Sequence, residues 1–158
     1  MGVSAAGKTT IGLAASALTG VTFLDADDRH PPENIAKMAA GIALDDADRA
    51  PWLDAVGAAL REESPCIMAC SALRRSYRDR LREHAPNALF VLLQLPRTEL
   101  ERRIAARTDH FMPPALLDSQ LAALEAPGAD EGVVVLDATR SIDELAADVA
   151  ALLAPQVD

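Results

Sequence analysis

Apolar and polar positions along this chain fall into two kinds of run that alternate from end to end. Four runs are short and nearly continuous in apolar residues: VTFLDA (21–26), PCIMACSA (65–72), ALFVLLQL (88–95) and GVVVLDA (132–138). Such runs read as strands covered on both faces, the pattern of a parallel sheet. Between them lie longer stretches with helical spacing. Residues 7–18 open a first helix, and PPENIAKMAAG suits a short one with Pro at its start and Gly at its end. DDADRAPWLDAVGAALREE begins with acids that suit a helix N-terminus and then repeats Trp52, Leu53, Val56 and Leu60 at helical spacing, with Pro51 near its start. An Arg-rich helix is expected over 74–84, and another through Arg107 capped by Thr98 with Glu101. HFMPP is a break, ALLDSQLAALEA a further helix, and Ser141 with Glu144 caps the last one. Strand and helix alternating over short connections predict one α/β domain across 1–158: three layers, with a parallel sheet between helices.

The opening residues carry the most specific chemistry. Gly2-Val3-Ser4-Ala5-Ala6-Gly7-Lys8-Thr9 fits G-x-x-x-x-G-K-[ST], the phosphate-binding loop of NTP-using enzymes, and Thr10 follows inside the helix it opens. The two glycines let successive N–H groups face phosphate oxygens, and the helix adds its positive end. Lys8 is expected to reach the β- and γ-phosphates, and Thr9 to offer its hydroxyl to Mg²⁺. The chain uses Arg nearly everywhere and has only two lysines, Lys8 and Lys37. A chance match would more readily have placed Arg at position 8. Many small kinases have a further Gly where Ala5 stands, and a left-handed backbone there would cost Ala roughly 1 kcal/mol. Such a loop normally hangs from the end of a buried strand. With only Met1 ahead of it, the expectation is a fragment or an upstream start, with the first strand missing or truncated. A chain that truly began at Met1 would be weakly stable and bind nucleotide poorly.

Composition narrows the partners. Half of the 158 residues are hydrophobic and a quarter charged, an ordinary globular mix. The net charge of -9 argues against nucleic acid or an anionic membrane as partner. No apolar run approaches the ~20 residues of a membrane span, and a cytoplasmic location is expected. Cys66 and Cys70 lack a second pair or a nearby His for a metal site and read as buried free thiols.

Read from its residues, the chain is an ATP-dependent phosphotransferase. FLDADDRHPPENIAKMAAGIALDDADRAPWL, CSALRRSYRDRLR, RTDHFMP and LLDSQLAALEAPGADE, in that order between Gly2 and about Glu131, together resemble the gluconokinase family of small P-loop kinases. The resemblance implies transfer of the ATP γ-phosphoryl to the 6-hydroxyl of D-gluconate, with Mg²⁺. It also leaves a homodimer open. Asp25 and Asp27 close a strand, where two residues apart share a face. Asp25 is assigned to the metal side and Asp27 to the attacking hydroxyl, while capping of the next helix fits Asp28 better. His30 resembles the family's substrate-side histidine, and His110 in RTDHFMP belongs to the same motif set. The gluconate carboxylate calls for a planar Arg fork, with Arg49 and Arg74 as candidates; the family commonly has Lys at the second place. The remaining arginines of that helix (Arg75, Arg78, Arg80, Arg82) read mostly as a solvated face. Arg103 and Arg107 share a helix face leading into DHFMPP, which resembles the mobile lid (about 107–114) that brings Arg to the transferring phosphoryl. Most relatives have Gly where Asp109 stands. Trp52 is expected in the core. Two other readings stay open: another small-molecule kinase of the same fold, acting on shikimate or a different sugar acid, and a nucleotide-binding remnant without turnover.

Overall fold

The structure, a computed structural model, describes residues 1–106 and 114–153. Each expected strand forms, four residues long: β1 (Thr22–Asp25), β2 (Cys66–Ala69), β3 (Val91–Gln94) and β4 (Val134–Asp137). The helices are α1 (Lys8–Thr19), α2 (Pro32–Ala39), α3 (Asp46–Glu62), α4 (Arg75–His84), α5 (Arg97–Ala105), α6 (Pro114–Ala123) and α7 (Ile142–Leu153).

The strands make two parallel pairs. β1 lies on β2 with Thr22 opposite Cys66 and Asp25 opposite Ala69; β3 lies on β4 with Val91 opposite Val134. Met1 links the pairs. Its amine donates to Val91 O, its carbonyl accepts from Leu93 N at 3.0 Å, and Gly2 N donates to Ser71 O at 3.1 Å. Helices cover both faces, each over its own apolar cluster. One cluster gathers Val3, Ile11, Leu93, Leu100 and Leu145; the other gathers Trp52, Leu53, Val56, Leu81 and Phe90. Close approach is built in where α1 crosses β1: a Cβ at Gly12 would stand 2.5 Å from the Phe23 ring.

Local signals explain most boundaries. Asp45 caps α3 by accepting from Asp48 N at 2.8 Å, and Asp48 returns the contact to Asp45 N at 3.1 Å, a reciprocal box of carboxylates. Ser141 and Glu144 do the same for α7, at 3.1 and 3.3 Å. The expected Thr98–Glu101 box does not form. α5 starts two residues earlier, after Pro96, with no side-chain cap, and Glu101 instead accepts from Arg97 Nε at 2.7 Å. Pro at the cap presets the turn that Thr98 was expected to make.

The solvated-face reading of α4 needs a larger correction. Arg78 is fully buried and pairs fork-to-fork with buried Glu131, at 2.6 and 2.8 Å, while its third nitrogen donates to Ala72 O and Leu73 O. Arg82 donates to Glu131 O at 2.8 Å and lies over the Phe90 ring. This cluster ties the segment before β4 to α4. Only Arg75 and Arg80 behave as outer-face residues, paired with Asp130 and Asp54.

Candidate active site

The phosphate loop has its expected backbone. Gly2 and Gly7 sit at φ 136° and 96°, and Ala5 adopts the left-handed conformation at φ 64° that a glycine would take without strain. Lys8 Nζ lies over the loop and donates to Val3 O at 3.0 Å. Thr10 is on the first turn of α1. Ala6 is wholly buried, and Val3 and Ala5 nearly so, which anchors the loop from below.

At the end of β1, Thr9 Oγ1 donates to Asp25 Oδ2 at 3.2 Å. This pairing joins the hydroxyl after the loop lysine to a carboxylate from the neighbouring strand. Hard oxygen donors of this kind fit Mg²⁺, which keeps several waters and takes few protein ligands. Asp25 is also the cap of the turn that follows, accepting from Asp27 N at 3.1 Å; that role had been expected of Asp28. Asp27 is therefore not on the strand face with Asp25. The chain tightens into a 3-10 turn (Ala26–Arg29) that swings its carboxylate outward, 84 % open to solvent. Protein packed around the group, then the nearby Asp25 charge, push the Asp27 carboxyl above the usual range. With that side chain so open, only the direction bears on the chemistry: it makes Asp27 more basic than an ordinary aspartate.

His30 is not merely exposed. Its ring stacks on Trp52 at 4.5 Å and 8°, and Trp52, buried in the core as expected, is pinned by Nε1 donating to Ala26 O at 2.7 Å. Asn34 Nδ2 reaches His30 Nδ1 at 3.4 Å, and Nε2 stands 3.9 Å from Asp27. With Asn34 as donor to Nδ1, the proton of the neutral ring sits on Nε2 and faces Asp27. Burial lowers the His30 pKa, and Arg49 adds to the effect against Asp27.

Arg49 and Arg74, the two carboxylate candidates, lie over one aromatic ring. Their guanidinium carbons lie 5.8 and 5.7 Å from the Tyr77 centroid. Arg49 donates to Leu44 O. Arg74 donates to both oxygens of Asp46, at 2.9 and 2.8 Å, and the Tyr77 hydroxyl donates to Asp46 at 2.5 Å. Asp46 thus holds Arg74 through a single guanidinium nitrogen, Nη1, shared between both carboxylate oxygens.

On the other side of the loop, Gly7, Thr10, Arg103, Ala138, Arg140 and Ile142 border a recess of about 140 Å³. Arg103 is fixed there by Glu99 at 2.8 Å and by Ala138 O at 2.9 Å. Arg107, Asp109 and His110 lie outside the described residues.

Three residues of this site escaped the sequence reading. Gln120 of α6 clasps the loop, its Oε1 accepting from Ser4 N at 2.7 Å and its Nε2 donating to Ser4 Oγ at 3.0 Å. Nothing in the spacing signals a partner so far along the chain. Asp46 and Tyr77 read locally as a helix-start acid and a helix residue; only the packing of α3 on α4 unites them with Arg74.

Comparison with known proteins gives this geometry its context. A family model described as an AAA domain matches residues 1–127. The thermosensitive gluconokinase of Escherichia coli (strain K12) is 45 % identical over 139 residues, covering 85 % of this chain and 74 % of the relative. The gluconokinase of Gluconobacter oxydans (strain 621H) is 46 % identical over 138 residues, covering 85 % and 78 %. The crystal structure of a gluconokinase from Sinorhizobium meliloti 1021 superposes with a TM-score of 0.85 at 43 % identity, covering 100 % of this chain and 95 % of that one. A phosphate loop beside a strand-end carboxylate, with an arginine pair across from it, in a chain this similar over most of its length, leads to one assignment: the chain belongs to the gluconokinase family.

Proposed function

We propose that this chain transfers the γ-phosphoryl group of ATP to the 6-hydroxyl of D-gluconate, yielding 6-phospho-D-gluconate and ADP. The observation that carries the reading is the joining of two half-sites by one short segment. Residues 25–30 run from the Thr9–Asp25 contact at the phosphate loop to His30, which Trp52 and Asn34 hold beside Arg49.

The loop N–H groups between Gly2 and Thr10 and the α1 N-terminus hold the triphosphate, with Val3, Ser4, Ala5 and Ala6 contributing backbone only. Lys8 neutralises charge on the transferring group. Thr9 and Asp25 would hold Mg²⁺, which would supply charge neutralisation to the phosphoryl groups. Asp27 orients the attacking hydroxyl and accepts its proton, a role its raised pKa favours. His30, with its proton on Nε2, donates to a substrate hydroxyl. Arg49 and Arg74 bind the carboxylate, for which Arg74 exchanges the oxygens of Asp46. The recess beside Arg103 takes the nucleotide's adenosine end. Arg107 and His110, placed by the resemblance, complete the phosphoryl and substrate contacts from 107–114.

A coupled ADP-release assay over gluconate, shikimate and related sugar acids tests this. Gluconate is expected to give the highest kcat/KM. A preference for another acid replaces the substrate assignment, and no turnover with any of them sinks the reading.

A further inference from the structure

The phosphate loop turns a corner over Val3–Ala6, where Ala6 N donates to Val3 O at 3.3 Å. Ala5, the third residue of that turn, is left-handed at φ 64°, and Ser4 before it is not. Those signs mark a type II turn, which asks for glycine at its third position. The competing type I turn joins the same two ends and differs by reversal of the peptide between Ser4 and Ala5. Ala5 would then have a negative φ and no strain. The reversal would spoil the loop. The Ser4 carbonyl oxygen would face the side on which Ala5 N–H now lies, turning an acceptor toward phosphate oxygens. One methyl group therefore biases the turn away from the form that a phosphate needs.

Gln120 opposes that bias. Its side-chain amide takes both handles of Ser4: Oε1 accepts from Ser4 N at 2.7 Å, and Nε2 donates to Ser4 Oγ at 3.0 Å. The corner residue ahead of the reversible peptide is thus held by backbone and side chain at once. At the other end of the Val3–Ser4 peptide, Val3 O accepts from Lys8 Nζ at 3.0 Å. In the proposed reaction Lys8 turns to the phosphoryl groups, and Gln120 still grips that peptide. Gln120 is itself rigidly presented. Leu117 and Leu121 pack from α6 into the cluster that holds Val3, Ala5 and Ala6. Beyond the end of α6, Glu125 N donates to Leu73 O at 2.9 Å, and the Glu125 carboxylate accepts from Arg75 N at 2.7 Å. With its helix fixed on both sides, the Gln120 amide has little freedom left to lose in making its two contacts.

We infer that Gln120 is a positioning residue of the phosphate loop: by holding the amide and the hydroxyl of Ser4, it keeps the Val3–Ala6 turn in the phosphate-receiving form that Ala5 by itself disfavours. This role deepens, and rests on, the nucleotide role proposed above for residues 2–10. Gln120 touches no phosphate in it. It acts through Ser4 on the fraction of loops competent to bind, and the apparent Kd rises in inverse proportion to that fraction. Glycine at position 5 would make the turn without strain, so the contribution of Gln120 is tied to Ala5.

Calorimetric titration with Mg-ADP, without any sugar acid, tests this on the parent chain, Gln120→Met, Ala5→Gly and the two substitutions combined. Methionine keeps the length of the side chain and removes its amide. Gln120→Met is expected to raise Kd at least about tenfold, as two ordinary neutral hydrogen bonds are lost. In the Ala5→Gly background the same substitution is expected to change Kd by less than about twofold. A merely structural role would give the same loss in both backgrounds. Ser4→Ala removes the hydroxyl contact and keeps the amide one. It is expected to raise Kd about threefold in the parent and not in the Ala5→Gly background, and it decides the matter if Gln120→Met does not fold. Equal losses in the two backgrounds, or no loss in the parent, overturn the role of Gln120 while leaving the phosphotransferase reading in place. A parent chain that does not bind Mg-ADP overturns both.

Discussion

Ala5 shows how much one missing hydrogen atom or one extra methyl weighs in a phosphate loop. Its φ of 64° puts Cβ against its own carbonyl, a strain that glycine escapes. Ala5→Gly should raise stability by about 0.5–1 kcal/mol, the relieved strain less the added freedom of the unfolded chain, as read by urea denaturation. An unchanged midpoint would mean that the loop has relaxed elsewhere. Lys8 carries the chemical weight of the same segment. Lys8→Ala should lower kcat for gluconate by about 10³-fold, in the range of losing one charge-stabilising donor, while moving the thermal midpoint little. Turnover equal to the parent's would remove the basis of the proposed mechanism. Across the cleft, Arg74→Ala should act on KM rather than kcat, raising it at least about tenfold, because the carboxylate contact is the same in ground and transition states. A loss confined to kcat would place Arg74 on the phosphoryl side instead.

At the scale of elements, the joints between helices and sheet carry the stability. The Arg78–Glu131 pair is buried on both sides, with side-chain exposures of 0 % and 2 %. Glu131→Gln leaves a buried guanidinium without its counter-charge and should cost about 3 kcal/mol in a denaturant melt. The Arg78 hydrogen bonds hold the Glu131 carboxyl at about 2, below its usual 4.5. Its contribution is therefore complete above pH 4.5 and lost as pH falls toward 2. The Glu131→Gln protein should lack that part of the acid transition. The α7 cap was readable as sequence, because a serine three residues before its glutamate is a local device, while at α3 only the acidic start was readable and the Asp45–Asp48 pairing came from the structure. The α5 start was not, because Pro96 and Thr98 competed for the same turn and the proline came first. The Arg78–Glu131 pair was hidden for a different reason. Along the chain, Arg78 alternates with acids like any solvated helix residue, and its burial depends on where residues 128–131 return.

The whole molecule is organised around the space between its two strand pairs. Burial, and next the Lys8 charge, lower the Met1 amine from its usual 8.0 to about 5. A base whose folded pKa is lowered binds fewer protons in the folded state, so stability should rise between pH 5 and pH 8, by up to about 1.4 kcal/mol per pH unit. A melt series over that range checks it, and a flat profile would place the amine in water. The described residues contain no helix long and apolar enough to cross a membrane.

Sequence alone determined what depends on neighbours along the chain: four strands from unbroken apolar runs, helices from their spacing and caps, and a phosphate loop from eight consecutive residues. It also brought Asp25, His30, Arg49 and Arg74 to notice as chemical types. Tertiary structure decided what depends on distant segments meeting. It turned Asp27 off the strand, stacked His30 on Trp52, gathered Arg49, Arg74 and Asp46 around Tyr77, and brought Gln120 onto Ser4. Periodicity reports which side of an element is buried; only the packing of one element on another sets what that side meets.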